Sequence, residues 1–227
     1  MEELYHVYNH SIEEMKIFTN DNEYKRFINA IRFYQIKDPQ IKFSDFIDTS
    51  SNSFVNAKTD WGRFDKKDKI VKVIAYCVMP THFHLLLSQL TDKGIPSFVN
   101  NLLNGYARYF NIKYERKGPL WQGPTKKIVI NSDLYLLHLT RYIHLNPVTA
   151  YLVNKPEDWL ASSYNEYLRK TSVTKSICDC YRFFDMEPEQ YKKFVDGGIG
   201  YQRERAKAKA YTPPPRWEQA NPPTRWV

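Results

Sequence analysis

The chain has 227 residues, of which 42% are hydrophobic and 26% charged, with 33 Lys+Arg against 25 Asp+Glu. That length and composition are globular and fit one sizeable domain, or one domain with an appendage. The net charge of +8 suits a polyanionic partner without demanding one.

No apolar run approaches the roughly 18 residues of a membrane span. The opening "MEELYHVYNHS" lacks a charged-then-apolar leader pattern. Cys77, Cys178 and Cys180 cannot all pair with one another, and the C-x-C pair has no second pair with which to build a zinc site. A reducing cytoplasm is therefore expected.

Leu4–Ser11, "LYHVYNHS", alternates and is rich in Tyr and Val, which reads as a strand. Asp21–Gln35 follows an Asp/Asn cap and repeats apolar residues at helical spacing. Residues 37–68 have weak periodicity and read as an insertion, with a short helix around Phe43–Ile47. Lys72–Met79 is a nearly continuous β-branched apolar run, the pattern of a central strand. "PT" breaks it, and His82–Gln89 reads as the second strand of a tight hairpin. Ile95–Arg116 predicts a helix, and Gly118–Ile130 a loop leading into a strand. Asn131–Val148 predicts a helix that opens on a Ser/Asp cap and stops at Asn146-Pro147. Asp158–Leu168 is a short further segment, and 187–209 is partly helical.

The last 27 residues carry half the net charge and five of the 13 prolines, and within them Tyr211–Val227 reads as extended with no core of its own. The order β-α-β-β-α-β-α predicts an α+β fold: a ferredoxin-like antiparallel sheet with helices. Residues 1–170 are read as the domain and 171–227 as a C-terminal extension.

The stretch "AYCVMPTHFHLLLSQ" places His82 and His84 two apart in a greasy strand. They project side by side from one face, with Phe83 on the other, toward the core. Such a pair is surface decoration, a core-edge pair or two ligands for one divalent cation, and the motif alone decides nothing. A later helix offers partners. Tyr142 and Asn146 are i and i+4 and share a face. An Asn146 amide oxygen is a candidate third ligand, with the Tyr142 hydroxyl one turn away. The competing reading of Tyr142 is packing, since the chain has 17 tyrosines.

"AYCVMPTHFHLLLSQ", "RYFNIKYERKGPLWQG" and "YLLHLTRYIHLNPVTAYLV…DWLASSY", in that order, resemble the single-tyrosine HUH transposases, and within them the REP-associated tyrosine transposase branch. The resemblance runs from "YHVYN" near the N-terminus to Tyr164. It implies that His82 and His84 are paired metal ligands, Asn146 the third ligand and Tyr142 the nucleophile. It also implies cleavage of single-stranded, hairpin-containing DNA with Mg or Mn, through a 5′-phosphotyrosine intermediate and a free 3′-OH. Many relatives have Asn where this chain has Thr81. That position is not a ligand, so little effect is expected. Relatives differ on whether the tyrosine acts in cis or in trans, so a homodimer stays open. Two other readings stand beside this one: a domesticated DNA-binding protein without turnover, and a metal-dependent hydrolase that uses water.

Between Tyr106 and Lys127, basic and aromatic residues interleave. Arg108, Lys113, Arg116, Lys117, Lys126 and Lys127 would track phosphates while Trp121, in an exposed-looking loop, stacks on a base. The competing reading is a helix with a core stripe and a solvated basic face.

Overall fold

In the computed structural model, residues 3–47, 67–171, 176–179 and 186–209 are described. Four strands carry the sheet: β1 (Glu3–His10), β2 (Val71–Met79), β3 (His82–Gln89) and β4 (Lys126–Ile130). They lie in the order β2-β3-β1-β4, with each neighbouring pair antiparallel. Helix α1 (Asp21–Tyr34) follows β1, the single turn α2 is Phe43–Phe46, and α3 (Gly94–Lys113) links β3 to β4. This is the ferredoxin-like α+β arrangement that the order of elements predicts. Helix α4 (Asp133–Thr149) follows the last strand. Among the described residues, no helix is long and apolar enough to cross a membrane.

Local sequence explains the helix starts. Asn20 accepts hydrogen bonds from the Asn22 and Glu23 amides at the head of α1, and Ser132 accepts from Tyr135 at the head of α4. Helices α1 and α3 cover the face of the sheet that carries Phe83. The Phe83 ring is fully buried and packs against Phe27 of α1 at 5.4 Å and Trp121 at 5.5 Å. Helix α4 lies over the opposite face, where the Tyr142 ring meets the His84 ring.

Two expectations are corrected. Strand β2 is at an edge of the sheet, not its centre. It reads as a central strand because later chain covers that edge. Val78 donates to the Ala161 carbonyl (2.9 Å), Ser163 to the Tyr76 carbonyl (3.0 Å) and Asp179 to the Val73 carbonyl (2.9 Å). Its backbone groups are thus met on both sides, and apolar side chains suit both faces.

The second correction concerns Pro147, which does not stop α4: the helix runs on to Thr149. Proline has no N–H to give the Ile143 carbonyl four residues back. The Asn146 Nδ2 donates to that carbonyl at 3.4 Å and to the Tyr142 carbonyl at 3.0 Å, which mends the gap.

Beyond Tyr164, the short α5 (Tyr164–Tyr167), α6 (Pro188–Asp196) and α7 (Ile199–Lys209) follow. Helices α6 and α7 pack on α4. Arg141 lies over the Phe194 ring at 4.4 Å, and Arg203 donates to the Val148 carbonyl at 3.1 Å. His144 is the buried hinge pin of this contact. Its Nδ1 is 2.7 Å from the Tyr191 hydroxyl, and its Nε2 is 2.7 Å from the Ser163 hydroxyl. The rings of Tyr164, Tyr167 and Tyr191 surround it. Most of the expected insertion, Cys180 and the Pro-rich tail lie outside the described residues.

Two measurements follow from this packing. Phe83→Ala, at a fully buried site, is expected to lower unfolding stability by about 3–5 kcal/mol in chemical denaturation. Burial pushes the His144 pKa from 6.5 down to about 3. The unfolded chain therefore takes up this proton first. The stability it withholds is fully present above about pH 6.5 and is lost progressively toward about pH 3. Thermal melts at pH 7 and 4.5 should show a smaller acid-induced drop in His144→Gln than in the wild type.

Candidate active site

Strand register builds the site. In the β1–β3 pairing, Tyr8 is opposite His84 and His10 is opposite His82. Directly paired residues share a face, as do residues two apart. His6, Tyr8, His10, His82 and His84 therefore project together. The His10 and His82 rings stack at 4.6 Å, His6 and His84 at 5.2 Å, and His6 and Tyr8 at 4.8 Å. The His82 and His84 rings are 5.2 Å apart and nearly perpendicular. Four of the chain's six histidines thus meet on one face. The sequence signal for the extra pair was the alternation in "YHVYNH", but nothing in it gave the register.

The Tyr142 ring on α4 stands edge-on to His84, with centroids 5.8 Å apart. Tyr142 is 39% exposed, so its ring borders the site while remaining open to solvent. Tyr8 is as close to His84, at 5.7 Å, but it is half-buried in the stack. Asn146 is on the same helix face one turn on, with its Nδ2 turned back to the helix carbonyls. That leaves its Oδ1 as the atom for another partner. His138 is exposed, beside Arg141 and Phe194, and takes no part.

Among the described residues, no group of three or more His, Cys, Asp or Glu is placed to hold a metal ion. A cation here would rest on two imidazoles, with the amide, water or DNA oxygens completing the shell. The donor chemistry fits that. Burial holds His84 well below its usual value, with the nearby His6, His82 and His10 adding to the effect. Burial, helped by His10, takes His82 down to about 4. Burial likewise takes His6 to about 3. At neutral pH these rings are uncharged, which is the ligating form. The His84 Nδ1 is 3.0 Å from the His6 Nε2, and the His82 Nδ1 is 3.0 Å from the Thr81 Oγ1. Among the described residues, these contacts engage the Nδ1 of both rings and leave Nε2 as the other nitrogen of each.

The seven residues read as DNA contacts do not form one cluster. Lys126 is on the histidine face, opposite Tyr8 in register and 5.6 Å from its ring. Lys127 points the other way, over Tyr5 at 3.8 Å. Arg108 and Lys117 are exposed, and Arg116 donates to the Asn111 side chain at 3.1 Å. Lys113 is paired with the buried Glu23 carboxylate at 3.1 Å, which the Tyr114 hydroxyl also meets. Trp121 is not an exposed stacking platform. It packs among Phe27, Phe83 and Tyr106 and donates to the Leu103 carbonyl at 3.1 Å. Its indole has an apolar body to bury and one N–H to satisfy, and the core supplies both.

The Thr81 hydroxyl, next to the first histidine, lies within hydrogen-bond distance of the His82 ring.

Residues 63–146 match the family of IS200-like transposases. The matched stretch contains His82, His84, Tyr142 and Asn146, and it leaves out β1 with His6, Tyr8 and His10. Over 78 residues the chain is 36% identical to the ISDra2 transposase TnpA of Deinococcus radiodurans, covering 32% of this chain and 56% of that protein. The chain thus spans just over half the length of that relative. The solved structure of a REP-associated tyrosine transposase bound to a REP hairpin superposes with a TM-score of 0.50 at 15% identity. It covers 79% of this chain and 88% of that one, and supports the fold.

Proposed function

Because residues 63–146 match the family of IS200-like transposases, we propose that this chain cuts and rejoins single-stranded DNA with Tyr142 as nucleophile. The observation that carries this reading is the placement of the Tyr142 ring 5.8 Å from His84 within one chain. His82, His84 and the Oδ1 of Asn146 would hold a divalent cation, Mg or Mn. When bound, such a cation withdraws charge from the scissile phosphate and favours the phenolate over the phenol.

The remaining chemistry belongs to the chain. The Tyr142 oxygen attacks phosphorus and loses its proton as the new P–O bond forms. The P–O3′ bond breaks, and the departing 3′ oxygen takes up a proton. The 5′ end stays on the tyrosine as a phosphodiester, so the bond energy is kept for rejoining by a 3′-OH. Lys126, on the same face, supplies positive charge for the strand. The substrate of this reading is a hairpin-forming strand and its compartment the cytoplasm, where the buried Cys77 and Cys178 would stay reduced.

Incubation with a labelled single-stranded hairpin and Mn should give a covalent protein–DNA adduct that maps to Tyr142. Tyr142→Phe is expected to abolish it, and Tyr8→Phe to retain it. Cleavage that persists in Tyr142→Phe would overturn the tyrosine mechanism in favour of water, and an adduct on Tyr8 would reassign the nucleophile. Binding without cleavage under any metal would mark a protein that has kept only recognition.

The proximity of Tyr142 to His84 of its own chain supports action in cis. A mixture of His84→Ala and Tyr142→Phe proteins should stay inactive. Restored activity in the mixture would show that the tyrosine is delivered across a dimer.

A further inference from the structure

We propose that His6 and Thr81 are positioning residues: each accepts the Nδ1 proton of one ligating imidazole, so that both Nε2 lone pairs face the cation. This rests on the metal-dependent reading above.

A neutral imidazole has one N–H and one lone pair, and the partner of one nitrogen decides the state of the other. The His84 Nδ1 lies 3.0 Å from the His6 Nε2, and the His82 Nδ1 lies 3.0 Å from the Thr81 Oγ1. Each contact can run in either direction. With the proton on His6 or Thr81, the Nδ1 lone pair is consumed and Nε2 carries hydrogen, which no cation accepts. With the proton on His84 or His82, Nε2 is the donor atom. Metal binding selects the second arrangement, which places the remaining proton of His6 on its own Nδ1.

His6 is built to hold this geometry. It is 5% exposed and stacked on Tyr8 at 4.8 Å. Carboxylates and carbonyls commonly take the outer proton of a metal-bound histidine. Here a third histidine does so for one ring and a threonine hydroxyl for the other. Strand β1, which lies outside the stretch matched to the family, thereby becomes part of the site.

The test is Mn(II) titration of the full chain, followed by loss of the free-ion electron paramagnetic resonance signal, with melting of the metal-free protein in parallel. His6→Leu and Thr81→Val remove the acceptor, whereas His6→Gln and Thr81→Ser keep an oxygen in reach. The Leu and Val forms should bind Mn(II) about 10–100-fold more weakly, with the Gln and Ser forms close to wild type. Unchanged affinity in the Leu and Val forms would overturn the proposal. So would equal weakening in the Gln and Ser forms, since packing would then explain the loss. If His6→Leu does not fold, the Thr81 pair decides. A wild type with no Mn(II) binding sensitive to His84→Ala would sink the metal reading itself, an outcome visible before any positioning variant is compared.

Discussion

The register of β1 on β3 is the constraint from which the rest of the molecule follows. With Tyr8 opposite His84, every second side chain of two central strands is committed to one face. Phe83, Leu85 and Leu87 go to the side built by α1 and α3, while His82 and His84 go to the side under α4. A slip of one residue would put the imidazoles among the aromatic core and Phe83 beneath Tyr142. Burial of Phe83 against Phe27 and Trp121 opposes that slip. Core packing on one side of the sheet thus aligns the polar side chains on the other.

Much of this was legible in the residues. Period-two alternation marked β1, the Pro80-Thr81 break marked the hairpin, and i,i+4 spacing put Tyr142 and Asn146 on one helix face. Phe83 does face the core. The illegible parts were all relations between distant segments. Nothing local says that "YHVYNH" lies against "HFHL", so the residues alone do not place His6 and His10 beside His82 and His84. The apolar run of β2 could not distinguish a central strand from an edge strand covered by residues 161–163 and 179. Trp121, in a basic loop rich in Gly and Pro, read as exposed because its burial depends on helices earlier in the chain. The contact of the Thr81 hydroxyl with the next residue's ring depends on the turn between β2 and β3, which residue type alone does not specify.

The helices after Pro188 extend the consequences of α4. That helix is held by the sheet on one side and by α6 and α7 on another. His144 joins the Tyr191 hydroxyl to Ser163, whose hydroxyl also caps the Tyr76 amide of β2. The Gln202 side chain reaches the Tyr142 carbonyl at 3.2 Å. The placement of Tyr142 is therefore shared between the sheet and the C-terminal segment, and loosening either would move the ring relative to His84.

Asn146 shows how a backbone defect narrows chemical choice. Its Nδ2 hydrogens mend the break left by Pro147, and its Oδ1 is the end that remains. An aspartate would offer a charged and stronger oxygen donor at the same place. It would also turn a lone pair toward the Tyr142 and Ile143 carbonyls, where a donor is required. So long as proline follows, the helix admits a neutral amide here and rejects the carboxylate, and the charge of anything assembled on this face is set in part by a missing N–H one residue away.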